Sequence, residues 1–508
     1  MLTFPTSLGR TAMTPLAAAD PGSLIQSVDW VAIAPPLIAA LGALVVLVAD
    51  LFLKGSQKRL LSWLAGGSLV LALAALLPLA LGDTRSTFCI TGTGCSYVAD
   101  DFALVFQLLA LAGALLVTLL SVHTVSSEQL PGGEYWFLLL SSAAGAALLP
   151  ASRDLATLVV ALEVVTLPSF ALVALRRDGR GAEAALKFFL SSVTATAVML
   201  LGVGFVYAAS GGLHFTAVAE GLTQAPAQLR HLAEAGAVLT LVGFAFKTAA
   251  VPFHFWVPDT YVGSPVPVAG YLSVVGKAAG LAGLALVTTL AFRPYGHTWG
   301  LVLAVLAAVT MTAGNVAALR QRGADRDGAV RLLAWSSVSQ AGYLLVPLAA
   351  AGYAGTAEPV GATAAYALIY GAVNLGAFAV VAVAGGGSLD SYRGLFARNR
   401  WSALALAFFL LCLAGLPPGV VGLFGKVVVF RAAVDAGLGW LAVVMAANVV
   451  IALYYYLTWT AKLFAPGEGT ARQVPGPLKA TIALTAAAAG VLSVAPQLVL
   501  QVVGGSLF

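Results

Sequence analysis

Charge is what this sequence has least of. Only 9% of its 508 residues are Asp, Glu, Lys or Arg, while 60% are hydrophobic; a soluble domain is roughly a quarter charged. A water-soluble globular protein is excluded, and the bulk of the chain must face lipid. Cysteine is nearly as scarce, and three residues are too few for a cluster or a zinc site, so no metal is expected. Cys89 and Cys95 share one loop, where a disulfide and two free thiols both remain open, and Cys412 lies in an apolar run and reads as packing. Residues 1–28 lack a basic segment followed by an apolar core and a cleavage site. They read as an uncleaved extension on the outer face.

What is present is a series of apolar runs near the length that crosses about 30 Å of hydrocarbon. They fall at about 29–53, 58–82, 102–123, 134–150, 154–175, 183–209, 233–251, 265–291, 297–319, 329–351, 361–384, 401–434, 437–464 and 477–503. Long uninterrupted runs mean helices, because backbone groups in lipid must be satisfied within their own segment. The expected fold is an all-α polytopic membrane protein of about fourteen helices. One transmembrane domain spans 29–508: helices 1–3 over 29–123, a first repeat over 134–291, a second over 297–464, and a last helix at 477–503.

The net charge of +5 carries less information than its distribution. Sixteen basic residues, among them Lys54, Lys58, Arg176, Arg180, Arg322, Arg331, Lys462 and Arg472, fall in alternate loops; only Arg10, Arg85, Arg153, Arg230, Arg293 and Arg431 fall in the others. Such asymmetry marks the inner face and places both termini outside. Nucleic-acid binding is not needed to explain these arginines.

Four lysines remain inside spans: Lys187, Lys247, Lys277 and Lys426. A mid-membrane ammonium costs about 2.5–3.5 kcal/mol on insertion scales and persists where it pairs, lines water or works. Burial brings a lysine toward values at which it can gain and lose a proton, so each is a proton-relay candidate. A single such lysine can instead snorkel or form a structural ion pair. Lys187 is closest to that reading, since Glu183 precedes it by four residues on one helix face. Glu163 is the one acidic residue well inside a span, and Lys187 on the next span is its expected partner, as a coupled switch.

Two spans are interrupted. Lys247 precedes Pro252 in FKTAAVPFHFWVPDTY, and Lys426 follows Pro417, Pro418 and Gly419 in LPPGVVGLFGK. A lysine beside a broken helix in each of two halves points to a transporter built from repeats, spans 4–8 and 9–13. Ser336, Ser337, Gln340, Tyr370, Asn374 and Asn448 put polar groups in otherwise apolar helices, where they either support a water chain or bond helix to helix. Tyr454, Tyr455 and Tyr456 also suit an interfacial belt. His254 follows the first break and is either a route to the inner surface or an exposed loop residue.

Together these stretches resemble the antiporter-like membrane subunits of respiratory complex I, of the subunit N type. The resemblance runs through ALEVVTLPSFALVAL with Glu163, EAALKFFLSS with Lys187, FAFKTAAVPFHFWVPDTY with Lys247, YLSVVGKAAG with Lys277, RLLAWSSVSQAGYLL, YGAVNLGAF, LAGLPPGVVGLFGKVVVF with Lys426, and NVVIALYYYL. It implies two inverted five-helix repeats with helices 7 and 12 broken. It implies a proton-translocating subunit of NADH:quinone oxidoreductase in a bacterial cytoplasmic (inner) membrane, with no redox chemistry and no cofactor of its own. NADH, flavin, iron-sulfur clusters and quinone would belong to partner subunits, and the neighbours would be small membrane subunits and the related subunit M. In that ordering Glu163 and Lys187 stand at proton uptake, Lys247 and Lys277 at the centre, and Lys426 at exit.

Two positions depart from the pattern. Gln340 stands where related chains often have histidine, and Pro36 follows Pro35 where many have glutamate. The rival is a subunit of a multisubunit Na+/H+ antiporter or a membrane-bound hydrogenase, similar in fold and in the Glu163 and Lys247 motifs. Lys426 separates them, because antiporter subunits and subunit M resemble each other in having glutamate there.

Overall fold

The structure is a computed structural model describing residues 27–90, 94–321, 323–467, 473–504 and 507. Arg10, Arg322, Arg472 and most of the expected N-terminal extension lie outside the described residues. Among those described, twelve helices are long and apolar enough to cross a membrane. The other two expected spans are the 17-residue helix Gly132–Leu148 and the broken pair Arg400–Ala414 and Val420–Asp435.

Four of the long helices start at an aspartate whose carboxylate accepts hydrogen bonds from otherwise free amides. Asp29 accepts from Val31 and Ala32, Asp100 from Ala103, Asp154 from Thr157 and Asp178 from Gly181. Asp178 is exposed, whereas Asp154 is buried and Asp100 is paired with the buried Arg153. The Asp29 carboxyl, just outside the first span, is held below its usual range by the Ala32 amide, and Arg85 adds to this. Glycine in the left-handed region closes helices at Gly211 and Gly355.

The elements differ from the sequence reading in several places. The seventh helix stops at Lys247, four residues earlier than expected, and helix resumes at Trp256–Gly263. Proline at 252 has no amide to donate, and Ala249 at φ 62° turns the chain out of helical geometry. The eighth span is not uniform: Leu272–Gly276 and Val287–Ala291 form π-helical turns around Lys277–Leu286. The last span divides at Pro496 into Gly476–Val494 and Gln497–Gly504. A short antiparallel hairpin, Arg85–Ile90 with Gly94–Ala99, stands between the second and third spans, where no strand was expected.

The helices Val266–Tyr271 and Lys277–Leu286, Gly328–Ala354 and Val360–Ala384 form the centre and are almost entirely enclosed by the others. Polar side chains on them are shielded from lipid. Helices approach closely where glycines meet: a Cβ on Gly202 would stand 2.5 Å from the Thr240 amide, and one on Gly314 2.4 Å from the Ser339 amide. Close backbone contact of this kind replaces the hydrophobic drive that lipid removes.

Candidate functional site

Lys247 is the last residue of its helix, so the break places its side chain among three helices. Its ammonium donates to Thr166 Oγ1 at 2.8 Å and to Ser192 Oγ at 2.9 Å. Glu163 Oε1 lies 3.5 Å from the same nitrogen and accepts from Thr196 Oγ1 at 2.8 Å. Ser192 and Thr196 are one turn apart, as are Glu163 and Thr166, so each helix offers two polar groups on one face. The result is a buried cation with one carboxylate and two hydroxyls.

Glu163 is therefore partnered by Lys247, not by Lys187. The reason is depth. Thr196 is level with Glu163, and Lys187 is nine residues earlier on the same helix, about 14 Å along the axis. Lys187 instead bridges Glu183 at 2.7 Å and Asp259 at 2.8 Å, with 48% of its side chain exposed. Arg331 approaches Asp259 at 3.6 Å, and Arg180 bonds Asp327 at 2.9 Å. This exposed cluster joins the first half of the chain to the second. Asp259 lies in the interruption between spans, outside the apolar runs in which a charge stands out.

Lys277 begins the helix after a π-helical turn and donates to both the carbonyl and the hydroxyl of Ser337. Tyr370 donates to Ser337 Oγ at 2.9 Å, and Asn374 donates to Ser273 at 2.8 Å. One residue along, Ser336 shares a hydrogen bond with Tyr456, whose hydroxyl also accepts from Gln340 Nε2 at 3.5 Å. Tyr366 donates to the Gln340 carbonyl oxygen. Tyr455 and Tyr456 are thus buried members of this polar row, while Tyr454 alone is exposed as a belt residue would be. The helix faces its middle and last tyrosines inward and its first outward, as a 100° step per residue requires.

Beyond Tyr366 stands Tyr343, its ring 6.4 Å away, and the Lys426 ammonium lies 5.9 Å from the centre of that ring. Lys426 also donates to the carbonyls of Leu413 and Ala414 at 2.8 and 2.7 Å. Those are acceptors freed where Pro417, Pro418 and Gly419 end the helix, and the partial negative charge of a helix C-terminus suits a cation.

Of the remaining expected supports only His254 stands apart from the row, because Tyr455 donates to Asn315 Oδ1 at 2.9 Å and Asn315 is bonded to Asn448. Asn448 accepts from Asn315 at 2.9 Å and donates to Thr312 at 3.1 Å, tying Gly439–Phe464 to Gly296–Leu319. His254 is half-buried with its ring 5.6 Å from that of Trp335. At the opposite face Cys89 and Cys95 are bonded across the hairpin, and Cys412 is buried and free.

The side chains missed by sequence were Thr166, Ser192, Thr196, Asp259, Tyr366 and Asn315. Apart from Asp259, their common signal is hydroxyl or amide spacing of three or four within an apolar run, as in SSVTAT. That signal is weak, because serine and threonine also bond to their own helix backbone.

An all-helical membrane protein with a buried lysine beside each of two broken helices, and a third lysine between them, defines the antiporter-like membrane subunits. Residues 152–452 match the family described as NADH:quinone oxidoreductase/Mrp antiporter, TM. NADH-quinone oxidoreductase subunit N 2 of Streptomyces griseus is 63% identical over 97% of this chain and 96% of its own length. The chain belongs to the NADH-quinone oxidoreductase subunit N family. A chain of respiratory complex I from Thermus thermophilus with bound aureothin superposes with TM-score 0.77 at 33% identity, over 93% of this chain and all of that one (100%). A chain of the Mrp complex from a Dietzia species shares the fold, with TM-score 0.80 at 21% identity, over 93% of this chain and 96% of that one.

Proposed function

We propose that this chain carries protons across a bacterial cytoplasmic membrane as an antiporter-like subunit of NADH:quinone oxidoreductase, with both termini on the outer face. Electron transfer runs in partner subunits that hold flavin, iron-sulfur clusters and quinone; small membrane subunits and subunit M are the expected neighbours. The observation that carries the reading is the Glu163–Lys247 pair, 3.5 Å apart at a helix break in a chain of this family.

In this reading Glu163 and Lys247 form the coupled pair. Drawing the carboxylate away leaves an uncompensated buried ammonium, which is costly, and passing the proton toward Lys277 relieves that cost. Ser337, Tyr370, Ser336, Tyr456, Gln340 and Tyr366 line the way from Lys277 to Lys426, with water completing it. Gln340 accepts and donates hydrogen bonds without titrating, so it orients its neighbours and leaves proton transfer to hydroxyls and water. Lys187 with Asp259 and Arg331 gathers charge at the inner mouth. The two halves, 134–291 and 297–464, act as inverted repeats that alternate. Lys426 favours this over a sodium/proton antiporter role.

The test is Lys247→Met in the assembled enzyme. Loss of NADH-driven proton uptake by inverted vesicles, with the complex intact and co-purifying with its flavin and iron-sulfur subunits, supports the proposal. Full pumping by an intact Lys247→Met complex overturns it.

A further inference from the structure

Between Arg230–Lys247 and Gly296–Leu319 lies a groove of about 590 Å³ that the relay does not use. Glu234, Val238, Leu241, Ala245 and Thr248 line it at alternating spacings of four and three, one continuous helix face. Fourteen residues of helix make it about 21 Å long. That is more than half of a hydrocarbon core of about 30 Å.

Chemically the groove is divided. Its length is apolar, and Thr248, within it, already donates to the carbonyls of Phe244 and Ala245. Polar groups gather at one end, where Glu234, Tyr295 and Thr298 meet, and Glu234 also faces exposed His231 at 3.3 Å. Arg230 stands one turn before Glu234 on the same helix, and exposed Arg293 is two residues before Tyr295 in the chain. At the other end Ala250 and Phe253, inside the break that follows Lys247, close the groove.

Water needs two to four polar partners and finds none along such a wall. We infer that the groove holds one acyl chain of a glycerophospholipid, its phosphate between Arg230 and Arg293 and a headgroup amine at Glu234, and that this chain braces the break beside Lys247. A phosphoethanolamine headgroup matches that pattern of two cations and one carboxylate.

The experiment uses the assembled oxidoreductase in bilayers containing phosphatidylethanolamine with a photoreactive acyl chain. Labelling of Leu241 and Val302 should exceed that of Val443 and Val450, which are exposed outside the groove. Val238→Trp, which narrows the mouth at an exposed position, should abolish the excess, and Arg230→Gln with Arg293→Gln should reduce it. Val238→Trp should also speed backbone hydrogen exchange over residues 248–255. Equal labelling of all four positions overturns the site, as does an excess that survives Val238→Trp. Cross-links from a photoreactive residue at Val302 to another subunit would make the groove a protein interface. Unchanged exchange at the break would overturn the bracing role.

Discussion

Glu163 and Lys247 stand 3.5 Å apart, and each is bonded to a hydroxyl of the helix Gly179–Ser210, through Thr196 and Ser192 respectively. One helix therefore holds both members of the pair in register. A shift of that helix against its neighbours changes both bonds together, which is the property a coupled proton switch needs.

Replacing the carboxylate tests the pair directly. Glu163→Gln leaves a buried ammonium without its anion, a loss of about 3–5 kcal/mol where one partner of a buried pair is removed. Proton pumping should fall at least tenfold on the scale of about 10²–10⁴ that a positioned proton-transfer group contributes. Fluorescence quenching in inverted vesicles, beside a native gel for assembly, reads the outcome.

Lys187→Met should be much milder. Its bridges to Glu183 and Asp259 are exposed, and exposed pairs contribute about 0.2–1 kcal/mol. Pumping within a few-fold of normal, and weaker dependence of its rate on ionic strength, is the expected result. A loss as deep as that of Glu163→Gln would return Lys187 to the centre of the mechanism.

Thr196→Val removes one hydrogen bond to Glu163 and keeps the shape of the side chain. A lost hydrogen bond to a charged group amounts to about 1.5–3 kcal/mol. Pumping should drop while NADH oxidation by uncoupled vesicles is unchanged, and Thr196→Ser should restore it.

At Gln340 the two expected responses diverge. Gln340→Leu strands the Tyr366 hydroxyl at a cost of about 1–3 kcal/mol and should lower the thermal stability of the complex. Gln340→His supplies a group that titrates near neutrality. It should leave assembly intact and alter the pH profile of pumping.

Cys89→Ser should expose Cys95 to a membrane-impermeant thiol reagent from the outer side, whereas the native chain should react only after reduction. For so short a loop the lost stabilisation is about 2 kcal/mol, confined to the hairpin.

Composition and span length alone determined that this chain is a helical membrane protein, because lipid admits few other ways to satisfy a backbone. The charge remainder likewise singled out four lysines, on the ground that a buried cation is too costly to be incidental; the structure buries Lys247, Lys277 and Lys426 and leaves Lys187 half-exposed. Prolines at 252, 417 and 418 marked the breaks in advance. Tertiary structure decided which charges meet. Adjacent spans suggested Lys187 for Glu163, but a contact in a bundle depends on depth along the helix and on which face turns inward. Those two quantities put Thr196 level with Glu163 and sent Lys187 to Asp259. They also turned Tyr455 and Tyr456 into the polar row while leaving Tyr454 exposed.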